Sequence, residues 1–357
     1  MRLLLAAVFA VIAAPAFAQD IVSPHEMISG AISGFIQPGF HRLATSTATL
    51  GEDIAAMCAT PSEEALEASQ AQFKTVVGDY SRVEFVQIGP LSADNRGERL
   101  LFWPDRKGIA LRQVQQALAA KDETAGKPET LAKKSVAMQG LGALEYLLFG
   151  TGAEELAGAE GAYRCSYASA IAVLLADLTA TLDAEWSDPK GITEALLNPK
   201  ADAADFRTET EVLEKLAASL IHGTEAIRDQ RVLPILGAST GSPKPKSALF
   251  WRSNQTIPAL ASNFAGLAEF FEKARFAEAM GSPTNVWIAN GAEFEFASAQ
   301  RATDTITSPI EEAVADPVQL KALQYLVIVT KALDSLLGRN LSAALGLSVG
   351  FSALDGD

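Results

Sequence analysis

The chain is poor in the residues that build metal centres and redox sites. Its 357 residues hold three histidines, two cysteines and five methionines. Two cysteines exclude a four-cysteine cluster. Cations are scarce too: 29 Lys and Arg stand against 43 Asp and Glu, a formal net charge of −14. Nucleic acid and anionic lipid require clustered cations, so neither is expected as a partner. The acidic surface tolerates a cation or a basic partner. No Walker-type loop, Rossmann fingerprint, nucleophile elbow or cysteine metal cluster is present. Beyond the N-terminus no uncharged apolar run approaches about 18 residues, so no membrane insertion of the mature chain is expected.

The N-terminus itself is built differently. Arg2 is followed by the apolar residues 3–14, and then by Ala16-Phe17-Ala18, small residues where a signal peptidase reads. Cleavage is expected after Ala18, leaving Gln19-Asp20 at the new terminus. No cysteine stands there to carry a lipid, and the apolar stretch is short for a bilayer span. Loss of Arg2 leaves 28 basic against 43 acidic residues, a balance of −15. Cys58 and Cys165 both lie in the mature chain, and an even count in an exported protein favours a disulfide.

Apolar residues recur at helical spacing through most of what remains. Tyr167, Ile171, Leu174, Leu178 and Leu182 form one stripe; Phe206, Leu213, Leu216, Leu220 and Ile227 a second; Leu323, Leu326, Leu333 and Leu337 a third. Steps of three, four and seven put each set on one side of a helix. Only Val83–Ile88 offers a strand, and it can equally continue a helix. The fold class is therefore all-α. Breaks fall at 89–108, 187–202 and 237–253. The middle one divides an N-terminal half, 19–188, from a C-terminal half, 203–357. Leu101-Phe102-Trp103 is echoed by Leu249-Phe250-Trp251 at an offset of 148, which also carries Glu145 onto Glu293. The echo suggests two related helical bundles, each contributing a carboxylate.

Two segments carry candidate chemistry. Asn95–Arg112 (NRGERLLFWPDRKGIALR) sets Arg99, Asp105 and other charges around a Phe-Trp pair. It suits a polar ligand or a salt-bridged cap. Lys133–Gly150 (KKSVAMQGLGALEYLLFG) reads as a helix with Ala137, Leu141, Leu144 and Leu148 inward. Glu145 lies at the edge of that stripe, where a partly desolvated carboxylate needs an arginine, a hydrogen bond or a cation.

These two segments resemble the imelysin family of exported bacterial proteins, as do Tyr163–Ala168 (YRCSYA) and the ending GLSVGFSALDGD. The resemblance spans nearly the whole mature chain. It implies an all-helical fold of two related, bundle-like halves. It also implies either metallopeptidase activity or a part in periplasmic iron uptake, with a membrane iron-transport partner. The family signature Gly-x-His-x-x-Glu falls on Gly140-Leu141-Gly142-Ala143-Leu144-Glu145, with glycine where histidine belongs. His and Glu three residues apart grip one ion from adjacent turns. With Gly142, Glu145 has no such neighbour, and a zinc hydrolase needs about three protein ligands.

The remaining histidines do not restore the motif. His25 lies near the mature N-terminus. His41, on the first long helix, is a secondary metal candidate beside Glu145. His222 and Glu225 have the right spacing, but they point away from the Leu213/Leu216/Leu220 stripe and read as a surface pair. The expectation is thus a periplasmic binding protein associated with iron uptake and not a peptidase. Its ligand pocket would lie between the halves with Glu145 and Glu293 facing it, Arg99 and Asp105 nearby. Iron is the favoured ion, as a hard cation suited to carboxylates, and zinc is less favoured. The alternatives are an imelysin metallopeptidase, or an acidic scaffold that docks a transporter.

Overall fold

The computed structural model describes residues 22–237 and 242–348. The leader, its cleavage after Ala18 and residues 349–357 of the familiar ending lie outside the described residues. Among these the chain is helical with no strand. The helices run α1 (Pro24–Ala31), α2 (Gln37–Ala59), α3 (Glu63–Val83), α4 (Arg96–Leu100), α5 (Ile109–Ala120) and α6 (Pro128–Leu131). There follow α7 (Gly140–Phe149), α8 (Ala162–Ser187), α9 (Ile192–Leu197), α10 (Glu209–Ala226) and α11 (Leu233–Leu236). The last are α12 (Thr256–Lys273), α13 (Phe276–Ala279), α14 (Val286–Thr305), α15 (Ile310–Ala313), α16 (Pro317–Asp334) and α17 (Ser342–Leu345).

Local sequence explains where they start. Ser23 accepts from the Glu26 amide, while Glu26 accepts from the Ser23 amide, a capping box completed by Pro24 at the first turn. Ser62, Thr208 and Asp316 cap α3, α10 and α16 with a side-chain oxygen alone. Val83–Ile88 is no strand: Val83 closes α3, and the chain turns there with Phe85, Val86 and Ile88 buried.

Helix α2 packs along α3 and α8, α3 also meets α12, and α14 lies against α12 and α16. The apolar core is continuous from Val22 to Leu347. Of the expected stripes, Leu213, Leu216, Leu220, Leu323, Leu326, Leu333 and Leu337 are buried. On α8 the buried line is Tyr167, Ile171, Leu175, Leu182 and Trp186, with Leu174 and Leu178 at its edge. The stretch Ala159–Ser187 is long and apolar enough to cross a membrane by length and composition, but half of that window is buried inside the fold. It is the central helix of this bundle. Cys58 at the end of α2 is bonded to Cys165 at the start of α8, with Cα atoms 5.6 Å apart. By the chain-entropy relation, a closed loop of this length stabilises by about 4–5 kcal/mol.

Candidate functional site

Helix α7 carries the motif, and every neighbouring element holds it. Its first residue, Gly140, has φ +74°, and a Cβ there would lie 2.6 Å from the carbonyl oxygens of both Arg99 and Leu100. Only glycine meets both demands. The Tyr167 hydroxyl donates to the Met138 carbonyl at 2.8 Å, just ahead of the helix. At the other end Arg164, buried on α8, donates to the carbonyls of Leu147 at 3.0 Å and Thr151 at 2.6 Å. Those carbonyls lie at and just beyond the helix C-terminus, where a cation is favoured. Arg164, Cys165 and Tyr167 of the YRCSYA stretch thus all act as scaffold around α7.

Glu145 is buried, with 4% of its surface exposed. Its Oε1 accepts from the Ser253 amide at 2.9 Å and the Ser253 hydroxyl at 2.8 Å, a tie across 108 residues of sequence. Ser253 sits in the second Leu-Phe-Trp loop, which turns tightly through Phe250 at φ 57° and Asn254 at φ 58°. Arg252 of that loop lies over the rings of Tyr146 and Trp251, 5.3 and 4.5 Å from their centroids. Burial pushes the Glu145 carboxyl above its ordinary range, opposed by the Ser253 donors and the Arg252 charge. The second Leu-Phe-Trp loop thus closes over the glutamate of α7 through Ser253.

The other expected site residues are dispersed. Gly142 is half-buried, and a Cβ on it would meet only the Leu101 methyl, at 4.0 Å. Both Asp105 oxygens cap α5, accepting from the Ile109 and Ala110 amides at 2.8 and 2.9 Å. Arg99 is exposed. Glu293 is exposed on α14, in a shallow groove beside Phe264 and Phe296. His41 is exposed on α2, with Nδ1 3.0 Å from Asp183 of α8, and His25 faces Glu209. Among the described residues no group of three or more His, Cys, Asp or Glu side chains is placed to hold a metal ion. The zinc of a peptidase does not fit this motif helix, because Gly142 offers no ligand and Glu145 Oε1 is taken by Ser253.

A cavity of about 630 Å³ opens elsewhere, between residues 80–103 and 215–267. Helix α10 lines it with Lys215, His222 and Gly223, and the π-helical turn Ile227–Val232 adds Arg231. Glu84 and Trp103 line it from the other segment. Gly223 permits the approach, since a Cβ there would stand 2.7 Å from the Phe85 Cβ. Arg231 Nη2 donates to Glu84 at 2.6 Å, and the second Glu84 oxygen accepts from Asn263 at 2.7 Å. The Trp103 indole N–H donates to the Gln230 carbonyl at 3.0 Å. The structure corrects one expectation here: His222 points away from its own helix's apolar stripe, but toward this cavity and not open surface. The sequence pointed to neither Glu84 nor Arg231. Only the seven-residue step from Lys215 to His222 hinted at a shared face.

Comparison with known proteins settles the family. The imelysin family profile matches residues 36–338. The chain belongs to the imelysin family. An imelysin-like protein from Psychrobacter arcticum 273-4 is 18% identical with a TM-score of 0.76, covering 92% of this chain and 98% of that one. A protein from Parabacteroides distasonis ATCC 8503 described as a "putative iron-regulated protein A precursor" is 13% identical with a TM-score of 0.75, covering 92% and 97%. No curated protein matches the chain.

Proposed function

We propose that this imelysin is an exported, periplasmic binding protein that serves iron acquisition and does not hydrolyse peptides. The observation that carries the reading is the state of the motif: Glu145 is sealed against Ser253, and position 142 has no side chain. A hydrolytic zinc keeps one open coordination position for water among about three protein ligands, and α7 offers neither. The open volume lies instead in the 630 Å³ cavity, which is roomy enough for an organic molecule. The description of the Parabacteroides distasonis neighbour as iron-regulated fits a role connected with iron. Among the described residues no cluster of protein ligands is placed for a bare ion, and the cavity instead suits iron carried with its own organic ligands. Its delivery requires a membrane transport partner. The acidic balance of the mature chain also leaves room for a basic surface on that partner.

Element analysis of the purified mature protein tests the reading, followed by calorimetry with ferric citrate and zinc and by an assay for peptide cleavage. Saturable ferric citrate binding without stoichiometric zinc or cleavage is expected. Tight stoichiometric zinc with cleavage that Glu145→Ala abolishes would instead establish a metallopeptidase. Failure of ferric citrate to bind would remove the iron role.

A further inference from the structure

We infer that the cavity between residues 80–103 and 215–267 is a site for a small organic carboxylate, and that Arg231 is the group that reads its charge. The inference rests on the reading of this cavity as the binding site, and adds the chemistry of what enters. In a chain of net charge −14, one wall of the cavity is basic: Lys215, His222 and Arg231 all line it. Lys215 and His222 lie seven residues apart on α10, two turns along one face. Nine residues separate His222 from Arg231, and in an unbroken α-helix that step would set Arg231 on the opposite side. The π-helical turn Ile227–Val232 widens the helix between them and brings Arg231 round to the lining.

The acids do not cancel this wall. Two line the cavity, Glu84 and Glu98. Glu84 is already engaged by Arg231 and Asn263, and the exposed Glu98 is offset by the equally exposed Lys215, so the more deeply set Arg231 decides the charge. Arg231 is engaged on one side only. Its side chain is 12% exposed, its Nη2 donates to Glu84, and its Nη1 is buried with no hydrogen-bond partner. A buried guanidinium N–H without an acceptor is unfavourable until something supplies one. A ligand carboxylate supplies it through one oxygen on Nη1, a charge-assisted hydrogen bond, while Nη2 stays with Glu84. Trp103, under the Arg231 guanidinium at 5.9 Å, together with Phe85, Leu91 and Leu101, gives the rest of the ligand an apolar wall. That wall favours a carbon-bodied anion over inorganic phosphate.

Calorimetry on the mature protein with iron-free citrate, benzoate and inorganic phosphate tests this, with tryptophan fluorescence, compared between wild type and Trp103→Phe, as a second readout. At least one of the two carboxylates is expected to bind saturably, and phosphate is not. Because Arg231→Gln would strand Glu84, the double variant Glu84→Gln/Arg231→Gln is used. It should weaken carboxylate binding tenfold or more while melting near wild type. Lys215→Gln, on an exposed side chain, should weaken it several-fold, and Glu84→Gln alone should tighten it by freeing Nη2. Absence of carboxylate binding, or binding indifferent to the double variant and to Lys215→Gln, would overturn the inference. Its failure is distinct from that of the iron role. Ferric citrate binding without iron-free carboxylate binding would sink only the inference. Carboxylate binding that iron does not alter would sink only the iron role.

Discussion

Two carboxylates, one buried and one partly buried, tie distant segments of this chain together, and they are set up in opposite ways. Glu145 meets Ser253 across 108 residues through neutral donors, inside a helix whose start and end are both held. Glu84 meets Arg231 across 147 residues through an ion pair, on the wall of an open cavity. At Glu145 the donors close on the carboxylate. At Arg231 a donor is left over. The difference separates a buried polar group that holds the fold from one that is ready for a ligand. The family signature, read as chemistry, points to the first of these; the free volume and the leftover N–H point to the second.

The largest effect expected from breaking this contrast is on the ion pair. Arg231→Gln leaves the partly buried Glu84 without its cation, held only by Asn263 and Tyr80, and should lower stability by about 1–3 kcal/mol in urea denaturation. The double variant with Glu84→Gln should recover most of that loss. Equal destabilisation by the single and double variants would show that the pair is not a unit.

Next comes the pH response of Glu145. Its folded carboxyl sits above the ordinary value of 4.5, so between 4.5 and the raised value the folded protein holds more protons than the unfolded chain. Stability conferred by the protonated group is therefore lost as pH rises through that window. Glu145→Gln cannot titrate, so its denaturation midpoint should change less with pH over the same range. Parallel pH profiles for the two proteins would show that burial does not govern this group.

The smallest effect concerns the missing histidine. At Gly142 a Cβ makes only an ordinary contact with the Leu101 methyl, and replacing this first-turn glycine by histidine should change stability by about 1 kcal/mol. The variant should still purify without stoichiometric zinc, because Glu145 remains committed to Ser253. Zinc bound at one equivalent would mean that Glu145 is free to ligate, and would erase the contrast between the two sites.

The sequence showed much of the fold and the less telling part of the site. Period-3.6 stripes such as Leu213/Leu216/Leu220 depend on residues a few positions apart, and the buried residues follow them. The Cys58–Cys165 bond followed from an even cysteine count in a chain expected to be exported. Glu145 was visible as a carboxylate needing partners, but nothing local names Ser253, 108 residues on. His222 was misplaced because one helix's apolar stripe shows which way a side chain points and not what stands opposite. The Phe85 turn comes up against Gly223 only through the packing of the whole bundle. Arg231 was hidden for a further reason, since counting at 3.6 residues per turn misses a π-helical turn.

The central claim is that α7 holds the fold while the cavity holds the ligand. Calorimetric titration of the mature protein with ferric citrate, comparing wild type, Glu145→Gln and Glu84→Gln/Arg231→Gln, addresses it most directly. The account predicts wild-type affinity for Glu145→Gln and at least tenfold weaker binding for the cavity variant. Binding abolished by Glu145→Gln and untouched by the cavity variant would contradict it.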